Sequence, residues 1–213
     1  MTDMTEVFDE DFWNERYRSS HRLWSGNPNP NLVNEVSGLA PATALDVGCG
    51  EGADAIWLAR RGAAVTAIDL STVAIERAAG HAADAGSDIA ERITWQQADL
   101  LEWTPDNRTG YDLVTSQYVH LPTGPRELLY QRLAELVAPG GTLLIVGHHP
   151  SDLDTSIPRP PRPELFFTPE DVVALLDPQE WTVDTATATS RTVTHGDHEV
   201  TIHDSVVRAH RAG

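Results

Sequence analysis

Apolar positions along this chain follow two alternating periodicities. Short runs at 44–47, 64–68, 93–97, 111–116 and 142–146 have the length and content of strands. Helical spacing occupies 53–61, 72–85 and 126–137 between them, the second with Ser71 placed to cap it and Gly86 to end it. Ahead of the first run, Phe8, Phe12, Trp13 and Tyr17 share a face of a helix over 8–18 behind Asp9, and Pro30 opens a short helix to about residue 37. Pro139, Gly140 and Gly141 predict a turn. Five prolines within 157–169 predict a stiff crossover or lid, followed by a short helix over 169–176 capped by Thr168. The Thr- and Val-rich stretches 181–191 and 198–208, with Gly196 and Asp197 between them, read as an antiparallel pair closing the sheet. Strands alternating with helices predict an α/β fold with a doubly wound, mostly parallel sheet.

One stretch carries the chemistry. The first run ends at Gly48, Gly50 and Gly52, a helix follows, and the second run ends on Asp69, seventeen positions after the last glycine. Strand, glycine turn, helix and a terminal acid describe a nucleoside site, the acid accepting from ribose hydroxyls. A dinucleotide fingerprint spaces its glycines differently, and Asp46, two residues before Gly48, would repel a pyrophosphate while favouring an ammonium group. The ligand expected is ribose-bearing, phosphate-free and cationic, which fits S-adenosylmethionine better than NAD. Ligands of such sheets lie outside the strands' C-terminal ends, where Asp46, Asp69, Asp99, Gln117 and His148 all fall.

Charge narrows the partners. The chain has 15 basic residues, all Arg, against 32 acidic ones, a net charge of −17. Such a surface repels nucleic acid and anionic lipid and favours a small-molecule acceptor. The single Cys49 suits a reducing compartment, and its place in the glycine turn reads as a small buried residue. With no signal-like N-terminus and no membrane-length apolar run, the expectation is a cytoplasmic protein. A lysine-free, alanine-rich composition is associated with GC-rich bacterial genomes.

The pieces LDVGCGEG, AIDLS, QADLLEW, YDLVTSQYVHLP and LAELVAPGGTLLIVGHH, in that order, resemble a class I S-adenosylmethionine-dependent methyltransferase, well over about 43–150 and in outline throughout. The resemblance implies a Rossmann-like sheet of seven strands with an antiparallel C-terminal hairpin. It implies that Gly48, Gly50 and Gly52 lie against the methionine and ribose, Asp46 near the ammonium group and Asp69 on the ribose hydroxyls. Leu70 would pack on the adenine, Asp99 would accept from its amine, the Leu100 backbone would bond the ring, and Gln117 would lie beside the methionine. The segment WNERY…LWSGNPNP looks like the small-molecule branch that includes thiopurine, thiol or halide, and tellurite-resistance enzymes. The N-P-P-[YF] signature of nucleic-acid amino-methylating enzymes is absent after the fourth run, where Ser116, Gln117, Tyr118 and Val119 stand.

One domain over 1–213 is expected, as a monomer or homodimer, with an N-terminal helical flap (1–40), a cofactor core (41–150) and a lid with hairpin (151–213). Trp24, in the turn-rich loop 22–30, would cover the pocket. Methyl transfer to a small S, O or N acceptor is an in-line displacement, so holding the acceptor and excluding water are the main tasks. An oxygen or nitrogen acceptor could need a base with a near-neutral pKa. His120 is the first candidate, then His148 and His149, with Tyr118 as a pocket wall or donor. His148 and His149 would point to opposite faces of a strand and have no partnering Cys or spaced His, so no metal site is expected. The alternatives are a non-catalytic S-adenosylmethionine-binding module and a nicotinamide-dependent oxidoreductase.

Overall fold

The computed structural model describes residues 8–105, 109–160 and 162–213. Residues 1–7 of the expected flap, 106–108 of the expected core and Pro161 of the proline-rich segment lie outside the described residues. The elements in order are α1 (Glu10–Arg18), α2 (Pro30–Val36), β1 (Thr43–Val47), α3 (Ala53–Arg60), β2 (Ala64–Asp69), α4 (Thr72–Ala85), α5 (Ser87–Ala90), β3 (Ile93–Gln97), β4 (Tyr111–Gln117), α6 (Thr123–Glu135), β5 (Val137–His148), α7 (Pro169–Val173), β6 (Trp181–His195) and β7 (His198–Arg211). Seven strands form one sheet in the order β3-β2-β1-β4-β5-β7-β6. The first five pair in parallel, and β7 runs antiparallel to both β5 and β6. Strand order reverses between β1 and β4, which opens a crevice at their C-terminal ends.

The two-residue period of the strands builds a core on each face. In β5, Leu144 and Val146 join Leu32, Val36, Leu58, Val65 and Leu113 on one face. Leu143 and Ile145 join Leu45, Val47, Val114, Leu129 and Leu133 on the other. Helix α6 buries Arg126, Leu129, Tyr130, Leu133 and Ala134, a helical stripe. The expected caps are in place: Asp9 accepts from the Phe12 N–H, Ser71 from Ala74, and Thr168 forms a reciprocal capping box with Asp171.

Several boundaries differ from expectation. Helix α6 starts at Thr123 and stops at Glu135, because Val137 already pairs with Tyr111 in the sheet. The expected turn at 139–141 is instead a bulge within β5, since the next paired residues are Leu113 and Thr142. Close packing makes this a glycine site: a Cβ on Gly141 would come within 2.9 Å of the Tyr111 carbonyl oxygen. Strands β6 and β7 run on to His195 and Arg211, α7 ends at Val173, and α5 was not anticipated. No helix among the described residues is long and apolar enough to cross a membrane.

The N-terminal segment is tied to the core by polar contacts. Asn14 on α1 is buried, and its Oδ1 accepts from the Ser71 hydroxyl (2.7 Å) and the Val73 N–H (3.2 Å) at the start of α4. Glu51 Oε2 accepts from the N–H groups of Leu23 and Trp24, both at 3.1 Å, and Asp54 Oδ1 accepts from that of Asn29 at 2.6 Å. The loop over the crevice is thus held down by acids that belong to the glycine turn and the start of α3. At the other end, Leu165, Phe166 and Phe167 of the lid segment are buried, and Ser205 donates to the Phe167 carbonyl at 2.6 Å.

A Cβ on Gly147 would lie 2.3 Å from the buried Phe167 ring, whereas one on Gly38 would meet nothing within 4 Å. Gly147→Ala is expected to destabilise the fold by about 1–3 kcal/mol. Gly38→Ala should be neutral or stabilising by up to about 1 kcal/mol. Urea unfolding midpoints of the two variants check the contrast.

Candidate active site

The C-terminal ends of β1, β2, β4 and β5 open on a cavity of about 550 Å³, within the usual range of small-ligand sites. Its floor is the glycine turn. The N–H groups of Gly48 and Cys49 donate to the Ile68 carbonyl at 2.8 and 2.9 Å, that of Gly52 to Cys49 (2.9 Å), and that of Gly50 to Asp69 Oδ2 (2.8 Å). These donors face the protein, so the turn offers no nest for a pyrophosphate. Side chains use the missing Cβ atoms: Val119 would be 2.6 Å from one on Gly48, Trp95 2.6 Å from one on Gly52, and the Tyr17 hydroxyl 3.0 Å from one on Gly50. Gly50 also has φ +53°, a conformation that L side chains rarely adopt.

Of the candidate cofactor and catalytic residues read from the sequence, all line this cavity except Asp46 and His149. Asp46 shares the parity of Ala44 in β1, points toward α3 and is 1% exposed, with Oδ2 unpartnered. Burial pushes its carboxyl well above the usual range, and the charges of Asp54 and Asp69 push the same way. The acid that does reach the wall is Asp54, in the first turn of α3, pushed up to about 6 by burial against the opposing Asn29 N–H. Sequence reasoning missed it, although an acid two residues after the last glycine of such a turn is a usable signal. Burial raises Asp69 too, and the N–H groups of Ser71, Gly50 and Leu70 oppose the rise. Leu70 and Leu100 line the same end, with exposed Asp99 accepting from the Leu101 N–H at 2.8 Å. Trp24 is 46% exposed and donates to the Tyr17 hydroxyl at 3.2 Å. The Gln117 amide donates to the Thr115 hydroxyl. The Cys49 thiol is raised by burial and by Asp69, which leaves it inert.

The opposite half is aromatic. Tyr118 has φ +53°, and its ring centroid lies 4.6 Å from that of His148. His120 sits 6.1 Å from Phe8, 5.8 Å from Trp13 and 5.8 Å from His148 between ring centroids. The expected near-neutral histidine is not there. Burial, then the charge of Arg16, pulls His120 down to about 4; burial, then Arg159, pulls His148 down to about 3. Both are neutral at pH 7 and reluctant to hold a proton. His149 bonds Ser151 Oγ at 2.9 Å, off the cavity, while His148 lines it, so the two diverge as neighbours on an extended chain do.

Three polar residues here escaped sequence reasoning. Arg159 and Arg191 line the cavity, and Asp204 lies behind it. Asp204 is buried, and its Oδ2 accepts from Arg191 Nε (2.8 Å) and Asn31 Nδ2 (3.2 Å), while Oδ1 stands unpartnered 4.0 Å from His148 Nδ1. An acid at the inward parity of Ile202 and Val206 in β7 was the available signal. No group of His, Cys, Asp and Glu suited to a metal ion occurs among the described residues.

The cavity fits S-adenosylmethionine on its own terms: buried carboxylates lacking a counter-cation surround a turn with no anion nest. Residues 44–141 match the family described as methyltransferase domain. The chain is 31% identical over 168 residues to the 2-heptyl-1-hydroxyquinolin-4(1H)-one methyltransferase of Mycobacteroides abscessus, covering 76% of this chain and 69% of that protein. Other curated relatives are matched over about half of their length. A solved structure described as the conversion of a disulfide bond into a thioacetal group during echinomycin biosynthesis is 26% identical, with TM-score 0.71 over 99% of this chain and 93% of that one. The magnesium protoporphyrin IX methyltransferase of Synechocystis PCC 6803 with bound SAH shares the fold at 20% identity, with TM-score 0.68 over 99% of this chain and 100% of that one. The nicotinamide and non-catalytic alternatives give way accordingly: the chain belongs to the class I S-adenosylmethionine-dependent methyltransferases and is an enzyme that uses this cofactor.

Proposed function

We propose that this enzyme methylates a small molecule held between Tyr118, His120 and His148, against a cofactor lying over the glycine turn. The observation that carries the reading is the division of one cavity into an acidic end and an aromatic end. Asp69 is placed to take the ribose hydroxyls, with one oxygen already fixed by Gly50 and the other by the Ser71 N–H at 2.9 Å. Leu70, Asp99 and Leu100 serve the adenine side, Gln117 the methionine side. Asp54 faces the ammonium group, with Asp46 behind it. Bound S-adenosylmethionine supplies a methyl group on a sulfonium, whose leaving sulfur needs no further activation. The protein's work is therefore positioning and exclusion of water. Tyr17 and Trp24 cover the turn, and Phe8 with Trp13 of α1 closes the aromatic end.

The acceptor atom is sulfur, oxygen or nitrogen. The Mycobacteroides relative is named for a hydroxyquinolinone, which supports a flat small molecule. A net charge of −17 supports the same choice over nucleic acid or membrane, in one cytoplasmic domain spanning 1–213 with the flap, core and lid boundaries given above. Neutral His120 and His148 are best suited to orienting the acceptor by hydrogen bonds.

Offered methyl-labelled S-adenosylmethionine with a mixture of thiols, phenols, amines and a bacterial metabolite extract, the enzyme is expected to place label in an extractable small product. Cofactor binding without label in any product would overturn the reading. The pH dependence of cofactor affinity follows from Asp54. Its carboxyl is protonated below about 6 in the free protein and must ionise to pair with a cation. Affinity should thus rise with pH, by up to about tenfold per unit, and level off above about 6. Calorimetry from pH 4.5 to 7 checks this, and Asp54→Asn should flatten the curve at the weaker value.

A further inference from the structure

Within this methyltransferase reading, we propose that the acceptor is an aromatic compound whose reacting oxygen or sulfur binds as its anion opposite the Arg159 guanidinium, so that no side chain has to accept a proton. Among the described residues, the acids lining the cavity are Glu51, Asp54, Asp69 and Asp99, all in the turn, at its start into α3, or at the ends of β2 and β3. The aromatic end is lined instead by two cations, Arg159 and Arg191. Their carboxylate partners stand off the wall. Arg159 Nη2 donates to Asp152 Oδ2 at 2.7 Å, and Arg191 Nε to Asp204 Oδ2 at 2.8 Å. Each pair therefore turns its positive end to the cavity. In a chain with net charge −17 this is a local reversal of sign.

The donors are also incomplete. Arg159 Nε and His148 Nδ1 are buried without a partner, and Arg159 Nη1 lies 3.4 Å from His148 Nε2. With Nε2 accepting from the arginine, the imidazole proton sits on Nδ1, directed to Asp204 Oδ1 at 4.0 Å behind the wall, so the cation offered to the cavity is the guanidinium alone. A guanidinium at the cavity wall, backed by its own carboxylate, is a charge that an oxyanion or thiolate pairs with. The rings of Phe8, Trp13 and Tyr118 on the same wall suit a flat ring bearing that atom.

The groups facing this end are Arg16 from α1, His120 and Tyr118 from the loop after β4, His148 from β5, Arg159 from the lid and Arg191 from β6, with Asp152 and Asp204 behind. Low proton affinity at both histidines agrees with an acceptor that arrives ionised. The step balances without a base: the acceptor's lone pair forms the new bond to the methyl carbon as the carbon–sulfur bond breaks, its electron pair stays on sulfur, and anion and sulfonium become two neutral centres.

The test uses the full chain loaded with S-adenosylhomocysteine, a loading verified by calorimetry, and two chromophoric probes, 4-nitrophenol and 4-nitrothiophenol, titrated by absorbance while bound. The expected result is an ionisation at least one pH unit lower on the protein than in solution, meaning that the anion binds at least tenfold tighter than the neutral form. Arg159→Gln should abolish the shift and Arg159→Lys should keep part of it. The double variant Arg159→Gln/Asp152→Asn, which leaves no unpaired carboxylate buried, should abolish it with the fold intact. Whichever probe is then methylated when S-adenosylmethionine is supplied assigns oxygen or sulfur. An unchanged or raised ionisation, a shift that survives the double variant, or no probe binding to protein holding S-adenosylhomocysteine would overturn the anionic acceptor. Failure to hold S-adenosylhomocysteine at all would overturn the methyltransferase site instead.

Discussion

The structure depends on keeping several carboxylates together around one glycine turn. Asp46, Glu51 and Asp69 are buried, and Asp54 stands at the cavity wall. Removing such charges from water costs several kcal/mol each after relaxation, roughly, and each charge-assisted hydrogen bond returns about 1.5–3 kcal/mol. The chain supplies those bonds from its own backbone: Gly50 and Ser71 to Asp69, Asn29 to Asp54, Leu23 and Trp24 to Glu51, which also pairs with Arg77 at 3.0 Å. The same contacts that make the acids tolerable draw the turn into shape and pin the loop above it. Compensation stops short at Asp46, Asp54 and Asp69, whose carboxyls remain raised. That shortfall sets the sign of the ligand, since a sulfonium bearing an ammonium group brings the missing positive charge.

Much of this was legible because it is local. The run from 45 to 69 contains strand, turn, helix and acid, and the bonds that close the turn, from Gly48 and Cys49 to Ile68 and from Gly50 to Asp69, lie within it. The caps at Asp9, Ser71 and Thr168 could be read for the same reason. Two expectations, one at Asp46 in this run and one at His120, turned on orientation and burial. A strand's parity sends Asp46 toward α3 and leaves Asp54 to reach the cavity, and parity relative to a helix is set by packing. The near-neutral histidine failed because a pKa depends on desolvation, and nothing in the tripeptide around His120 says that Phe8, Trp13 and Arg16 from the chain's far end will enclose it.

At the acceptor end Tyr118, His120 and His148 were legible just past the ends of their strands, but the polar residues around them were not, because that network is assembled at long range. Asn31, His148, Arg159, Arg191 and Asp204 come from α2, β5, the lid, β6 and β7. The bond between Asn31 and Asp204 spans 173 positions. Only the antiparallel closure of β7 on β5, pairing His148 with Asp204, brings them together. The bulge in β5 was hidden for a related reason: a Pro-Gly-Gly sequence reads as a turn until the Tyr111–Val137 pairing shows that the strand has already begun.

Between the local half and the long-range half stands Tyr118, where the chain leaves β4 at the point of strand-order reversal. Its φ of +53° is adverse for a bulky side chain by roughly 1–2 kcal/mol. The conformation persists because its N–H donates to the Val146 carbonyl at 2.9 Å and its ring packs on His148. An extended residue here would continue the two-residue alternation and separate Gln117, Tyr118 and His120 between the two faces of the sheet. The left-handed kink breaks the alternation and leaves all three on the cavity. The cost falls where cofactor and acceptor must meet, and it is borne by a wall anchored in two strands. Geometry at the reacting centre is thereby held by the sheet.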